Sequence, residues 1–283
     1  MKRISVRFKF TFMLLSVVMG LASCTSRKTL ILQNPHSSQR DDEFITLNRA
    51  FLEDKFGFIP ANKFLSAGVN AVQHVDTNKD GKWDEAYVLL SFAGKEEIKL
   101  PVSLGKAGST PLGARVHVRH RRKNADDTFG PLLTKDSIPA GQPGTDFTKT
   151  PLPPFLTEGP AWENDKVGFR LYFDVRNGKD IWGKTTSKMM MDTVGIDPKA
   201  NYHQLSSWGM DVLKVGASLG AGSLALSLPH NGKDTLVRLG GTNMGKVIFE
   251  TVADGPLLGI LKLTYPEWKV LPGAAPVKLT EEI

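Results

Sequence analysis

The sequence predicts an all-β fold, an antiparallel β-sandwich with long loops, and three observations predict it. Apolar and polar residues alternate over short runs, the period of a half-buried strand. Glycine and proline are abundant, 27 and 17 of 283 residues, and they fall between those runs as turn signals. Helical periodicity is confined to one short stretch, and no internal repeat occurs. The chain is 41% hydrophobic and 23% charged, which excludes a disordered or collagen-like protein.

The elements follow in chain order. Residues 1–23 are predicted to be a signal peptide. The first nine residues are basic, and 10–22 form an apolar run too short to span a bilayer comfortably. Leu21-Ala22-Ser23 precedes Cys24, the only cysteine of the chain. Small residues before a lone cysteine predict cleavage ahead of Cys24 and diacylglycerol on its thiol. Residues 24–40 read as a polar tether, and 41–283 as one sandwich domain. The mature protein is expected at the bacterial outer membrane, held there by its lipid alone. No acidic run follows Cys24, which favours the periplasmic side. The net charge of +7 includes Lys2, Arg3, Arg7 and Lys9; without those four, 32 basic residues face 29 acidic ones. A balance of that size does not point to nucleic acid as a partner.

Within the domain, 44–56 suggests a helix. Strands are predicted at 68–75, 86–92 and 98–104. In the strand at 114–121, Val116 and Val118 face one side, while Arg115, His117, Arg119 and Arg121 face the other. Residues 122–160, rich in Asp, Thr, Pro and Gly, read as a long loop. The strand at 167–175 alternates most cleanly. Val167, Phe169, Leu171 and Phe173 form its apolar face, and Gly168, Arg170, Tyr172 and Asp174 its polar face. Later strands are predicted at 210–216, 223–228, 235–239, 246–252 and 257–265. Lys79-Asp80-Gly81, Arg176-Asn177-Gly178, Asn231-Gly232-Lys233 and Asp254-Gly255-Pro256 supply turns.

Two segments carry candidate chemistry. In 76–85, Asp76, Asn78 and Asp80 alternate ahead of Gly81, and Asp84 follows. Oxygen ligands so spaced suit calcium, the one candidate cofactor. The twelfth position of an EF-hand would be glutamate, but Tyr87 stands there, and a polar hairpin turn wants the same residues. The second segment holds three of the five tryptophans within 47 residues. Trp162-Glu163-Asn164-Asp165 is followed by Arg170 and Tyr172, then Asp180 and Trp182, then Tyr202-His203 and Trp208. Tryptophan faces stack on sugar rings, and carboxylates and amides hydrogen-bond hydroxyls, so this composition suits a carbohydrate cleft. The competing reading is core tryptophans with surface acids.

Other chemistries drop out. There is no phosphate-binding Gly-rich loop and no nucleophile elbow. His117 and His120, three apart on a strand, point to opposite sides and make no chelating pair. Arg115, Arg119, Arg121, Arg122 and Lys123 form either a solvated basic face or an attractor for an acidic glycan. Met189-Met190-Met191 reads as packing or a loop wall.

The run Gly159-Pro160-Ala161-Trp162-Glu163-Asn164-Asp165, with Gly168-Phe169-Arg170-Leu171-Tyr172, resembles the bacterial family termed domain of unknown function 4861. So do Gly178-Lys179-Asp180-Ile181-Trp182, Tyr202-His203, the run 208–216 and the acidic loop ending Asp84-Glu85. The resemblance implies an exported protein of polysaccharide-utilisation systems and a galactose-mutarotase-like supersandwich. Members continue past the segment resembling 255–268, so it also implies a sandwich short of strands at this C-terminus.

Together these readings lead to an expected function: action on acidic, uronate-containing oligosaccharides, by a lyase or dehydratase working through β-elimination. That chemistry needs a cation at the uronate carboxylate, a base for the adjacent proton and an acid for the leaving oxygen. Arg170 is the expected cation, His203 the base, and Tyr202 or Tyr172 the acid. Trp162, Glu163, Asn164, Asp165, Asp180, Trp182 and Trp208 are the expected sugar-binding set. A hydrolase using Glu163 and Asp165 ranks lower, since residues two apart rarely straddle a glycosidic bond. The alternatives are a non-catalytic glycan-binding lipoprotein and a structural lipoprotein.

Overall fold

The computed structural model describes residues 27–106, 113–216, 218–230 and 232–283. Cys24 and the expected signal peptide at 1–23 lie outside the described residues. The chain is all-β and antiparallel, and it divides into two compact units, Met1–Gly113 and Ala114–Ile283, where the sequence reading has one domain.

The first unit holds β1 (Arg27–Gln33), β2 (Arg40–Asn48), helix α1 (Arg49–Phe56), β3 (Phe64–Ser66), β4 (Gln73–Val75), β5 (Glu85–Phe92) and β6 (Glu97–Gly105). Its two three-stranded sheets run β1-β6-β3 and β2-β5-β4. They share a core that includes Leu30, Leu32, Ile45, Leu47, Val88 and Leu100. This corrects the tether. Leu30 and Leu32 alternate inward and pair with Leu100 and Ile98 of β6, so burial of two leucines outweighs the polar composition around them. It also splits the expected helix at 44–56. Ile45 and Leu47 alternate into the core as strand β2, and only from Arg49 does the chain coil, burying Leu52.

The second unit holds β7 (Val116–Arg119), β8 (Lys135–Ile138), β9 (Ala161–Asn164), β10 (Val167–Leu171), β11 (Lys179–Lys184), β12 (Gly209–Asp211), β13 (Ala225–His230), β14 (Lys233–Arg238), β15 (Val247–Ala253), β16 (Ile260–Trp268) and β17 (Val277–Glu282). A five-stranded sheet, β12-β11-β10-β9-β7, and a four-stranded sheet, β17-β16-β15-β8, enclose the main core. Val118, Leu171, Phe249, Leu263 and Tyr265 meet there. β13 and β14 form a separate hairpin.

The five-stranded sheet is buried on both faces. Its outer face carries a second apolar cluster of Ala161, Trp182, Met191 and Val194, with Met190, Tyr202 and Trp208 packed against it. The covering residues come from the 185–208 segment, which leaves β11 and returns at β12. The polar face of the 167–175 strand is therefore interior, not solvated. Among the described residues, no helix is long and apolar enough to cross a membrane.

Candidate functional site

Strand pairing assembles the site. Arg170 of β10 stands opposite Asp180 of β11, and Trp182 of β11 opposite Asp211 of β12. Period-two alternation then puts Arg170, Asp180, Trp182 and Asp211 on one outer face. Two glycines let the chain close around them. A Cβ on Gly209 would lie 1.9 Å from the Gly183 carbonyl oxygen, so only glycine lets β12 approach β11. A Cβ on Gly159 would lie 2.1 Å from the Leu171 carbonyl oxygen. Just before it, Thr157 and Glu158 adopt φ of 51° and 63°. That left-handed turn aims the Thr157 carbonyl and the Glu158 carboxylate at Arg170.

Arg170 is fully buried. Its Nε donates to Asp180 Oδ2 at 2.6 Å, and its Nη1 donates to Thr157 O at 3.0 Å and Glu158 Oε2 at 3.1 Å. Nη1 also reaches Tyr202 OH at 3.3 Å, and Nη2 reaches Tyr172 OH at 2.5 Å. Burial opposes the charge, but Tyr202, Tyr172, Asp180 and Glu158 outweigh it and hold the guanidinium above its ordinary pKa. Burial pushes both phenols up as well, against the pull of Arg170. Each phenol thus stays protonated. Because its oxygen accepts from Arg170, its own O–H is free to donate elsewhere.

A second guanidinium packs against the Tyr172 ring. Arg176 sits 3.8 Å above the Tyr172 ring, while Arg170 lies 4.1 Å from the same ring. Arg176 is held by Asp174 and by Glu158 Oε1 at 2.6 Å, and its side chain is 40% exposed. On the other side, Tyr202 stacks on Trp182 at 5.4 Å and 21°, and Trp208 lies 5.7 Å from Trp182. His203 is 57% exposed, and its Nδ1 lies 3.3 Å from Asp211 Oδ2. That same oxygen is 4.0 Å from Arg170 Nη2, so Arg170 and His203 share one small site. Burial raises the Asp211 carboxyl, and the charge of Asp180 adds to the effect.

The expected sugar-binding set divides. Asp180, Trp182 and Trp208 join the cluster with Arg170, Tyr172, Tyr202 and His203. Trp182 is completely buried, so it supports the site from beneath and cannot stack on a sugar. Trp162 points to the inner face, stacked on Phe169 at 5.6 Å, where it lines an apolar cavity of about 140 Å³ between the sheets. Glu163 pairs with Lys184, and its Oε1 accepts from the backbone of Met190 and Met191 at 2.7 Å. It therefore holds the 185–208 segment down. Asn164 Oδ1 caps the β9–β10 turn by accepting from Lys166 N and Val167 N. Asp165 pairs with Arg115 at 3.0 Å. Arg170 is held by Asp180 and Glu158, not by Glu163 or Asp165. With Glu163 and Asp165 so engaged, the hydrolase reading lacks its carboxylate pair.

The basic face does not exist as a patch. Arg119 is fully buried, bonded to Met191 O, Leu156 O and Gly159 O. Arg121 pairs with Asp192, Arg122 with Asp136 and Lys123 with Asp127. The methionine run is packing, with Met191 fully buried. His117 and His120 do face opposite ways. His120 enters the core bonded to Asp136, and His117 bridges Asp192 and Asp254 on the outer side.

In the first unit, the 76–85 loop closes on itself. Asp84 Oδ2 accepts from Thr77 N at 2.8 Å and Thr77 Oγ1 at 2.7 Å; Asp76 Oδ2 accepts from Gly81 N at 2.8 Å. Asn78 Oδ1 accepts from Asp80 N, and Asp80 Oδ1 from Lys82 N. Those oxygens serve the turn's own backbone. Among the described residues, no group of three or more His, Cys, Asp or Glu side chains is placed to hold a metal ion.

Glu158, Asp174, Arg176 and Asp211 are site residues that the sequence reading did not select. Asp174 shares the polar face of the alternating strand, Arg176 opens the turn after it, and Asp211 lies in the 208–216 run that resembles the family, so each carried a signal that pointed to its place and not to its role. Glu158 lies in a loop and reaches the site through a strained turn that no periodicity marks.

The fold and site thus define an antiparallel β-protein with a buried arginine supporting two phenols and an exposed histidine. The chain belongs to the family described as domain of unknown function (DUF4861), which it matches over residues 32–283. No curated protein and no solved structure matches it.

Proposed function

We propose that this is a lipid-anchored exported protein that acts on acidic, uronate-containing oligosaccharides by β-elimination at Tyr172, Tyr202 and His203. One observation carries the reading: buried Arg170 donates to both phenol oxygens beside an exposed histidine that is backed by a buried carboxylate. Acid and base then stand close together on the outer face of the five-stranded sheet. His203 takes the proton next to the carboxylate. The electron pair left behind forms the carbon–carbon double bond as the β C–O bond breaks. The departing oxygen takes its proton from Tyr202 or Tyr172. Loss of a sugar makes the protein a lyase, and loss of water makes it a dehydratase. A phenolate left at Tyr172 would keep the Arg170 bond to its oxygen, with the Arg176 guanidinium also against its ring, which favours that residue as acid.

The cation at the substrate carboxylate is reassigned in this reading. Arg170 is buried and its donors are engaged within the chain. Arg176 is the exposed guanidinium of the cluster, and its Nη1 bonds to no described residue. A second reading, glycan binding without turnover, draws support from the charge balance. Arg170 and Arg176 face four carboxylates, Glu158, Asp174, Asp180 and Asp211, so the cluster carries no excess of positive charge to draw a uronate.

The test is to incubate the purified protein with a panel of uronate oligosaccharides, following absorbance of unsaturated products and product mass. Elimination predicts unsaturated products that His203→Ala abolishes while binding persists. Binding alone predicts unchanged mass, with affinity lost in Trp208→Ala and kept in His203→Ala.

A further inference from the structure

Two acids of this site keep a buried oxygen without a hydrogen-bond partner, Asp180 Oδ1 and Asp211 Oδ2, and only the second faces an exposed histidine. Asp211 is only 4% exposed, yet its Oδ2 has no hydrogen-bond partner of good geometry. A buried acceptor left unmatched costs roughly 1–3 kcal/mol, so its surroundings should contain the donor it awaits. The other polar atoms of the residue are already committed. Its backbone N donates to Tyr202 O at 2.8 Å, and its Oδ1 accepts from Leu213 N at 3.0 Å. These two bonds fix both the carboxylate and the Tyr202-His203 backbone to the end of β12. They leave Oδ2 aimed at His203 Nδ1, 3.3 Å away. His203 N is held in turn by Asn201 Oδ1 at 3.0 Å. The ring leans on Tyr202, with centroids 4.7 Å apart. A small rotation of an exposed ring converts the close approach into a hydrogen bond, as often happens when ligand closes a site.

We infer that Asp211 is a positioning residue: it holds His203 in the tautomer protonated at Nδ1, leaving Nε2 open toward solvent as the base. This rests on the proposed reaction for its purpose, but the tautomer is a property of the resting protein. A carboxylate can only accept, so the proton must sit on the nitrogen that faces it. The arrangement also explains why a costly buried acid stands beside Asp180. Burial and Asp180 both disfavour its charge, and an acid kept there for stability alone would be better replaced by a neutral residue.

Asp211→Asn is the informative change. The amide oxygen should keep the bond from Leu213 N, which turns the amide NH2 toward His203 Nδ1. That nitrogen must then accept, the ring proton moves to Nε2, and the open base is lost. Removing a charge next to Asp180 should leave folding intact. The experiment labels the full exported protein with 15N-histidine, assigns His203 by its loss in His203→Gln, and reads both ring nitrogens above the ring's titration. The expected result is an Nδ1–H ring in the parent protein and an Nε2–H ring in Asp211→Asn. Where uronate turnover is measurable, kcat should fall about 100-fold or more with KM changed far less. An Nε2–H ring in the parent protein, or an unchanged tautomer in Asp211→Asn, overturns the inference. Turnover unaffected by His203→Ala overturns the proposed reaction instead, whichever tautomer is found.

Discussion

His117 ties three parts of the second unit together, and its proton should be visible in the stability of the protein. From β7, its Nε2 meets Asp192 of the covering segment at 2.9 Å, and its Nδ1 meets Asp254 of the β15–β16 turn at 3.1 Å. Asp192 is also held by Arg121, and Asp254 Oδ1 accepts from Val118 N at 2.7 Å. The bonds to Asp192 and Asp254 raise the imidazole from 6.5 to about 9, against burial. The bond from His117 lowers Asp192 to about 2 despite partial burial. The sign follows from linkage. A raised histidine stabilises fully below its unfolded pKa of 6.5 and loses that contribution as pH rises through about 9. A depressed carboxylate contributes above 3.8 and loses its contribution as pH falls through about 2. The bridge is therefore complete between about pH 4 and 6.5. At about 1.4 kcal/mol per pH unit, the histidine contributes at most about 3 kcal/mol. Asp192 is 41% exposed, so solvent screening reduces this to ~1–2 kcal/mol. Urea unfolding of the parent protein and His117→Gln should be compared from pH 5.5 to 10. The parent should lead by that amount at pH 6 and lose its lead by pH 10. A difference that stays constant across the range would refute the charged bridge and leave only packing.

Three further outcomes are expected. Trp182→Ala should cost about 3–5 kcal/mol, the usual effect of emptying a buried tryptophan site, whereas Trp208→Ala should fold; equal denaturant midpoints for the two would contradict the supporting role of Trp182. Asp84→Ala should cost about 1–2 kcal/mol through the lost bonds from Thr77 and Asn78, and the loss should persist in EDTA; a loss seen only with calcium present would restore the metal reading of the 76–85 loop. Cys24→Ala should release the protein from the membrane fraction with its circular dichroism unchanged, and continued membrane association would remove the lipid anchor.

What the sequence disclosed depended on whether a residue's signal was local. Short runs rich in valine, leucine and isoleucine at 86–92 and 98–104 located β5 and β6 to within a residue at each end, and alternation located the polar and apolar faces of 167–175. The same rule placed Arg170 and Tyr172 on one face, and pairing with β11 brought Asp180 to that face. The rule failed on what lay above the face. Alternation reports that a side chain differs from its neighbour, and it is silent on whether the polar side meets water or another layer of protein. Arg119 and Arg170 look like outward cations for that reason, yet each is enclosed by carbonyls, hydroxyls or carboxylates, around Arg119 from the 156–157 turn and around Arg170 from Thr157 and from Asp180 of β11. Loops also hid β8, whose Lys-Asp-Ser-Ile is a strand only because β15 offers it an edge, and they hid Glu158. The tryptophans show the limit most plainly. Trp162, Trp182 and Trp208 look alike in the sequence, each near an acid and a glycine. One faces the inner core, one lies under the site and one is half-exposed beside it, and only the sheet order separates the three. A buried arginine whose donors are met from four different segments is thus better evidence for a constructed site than a clustering of aromatic residues along the chain.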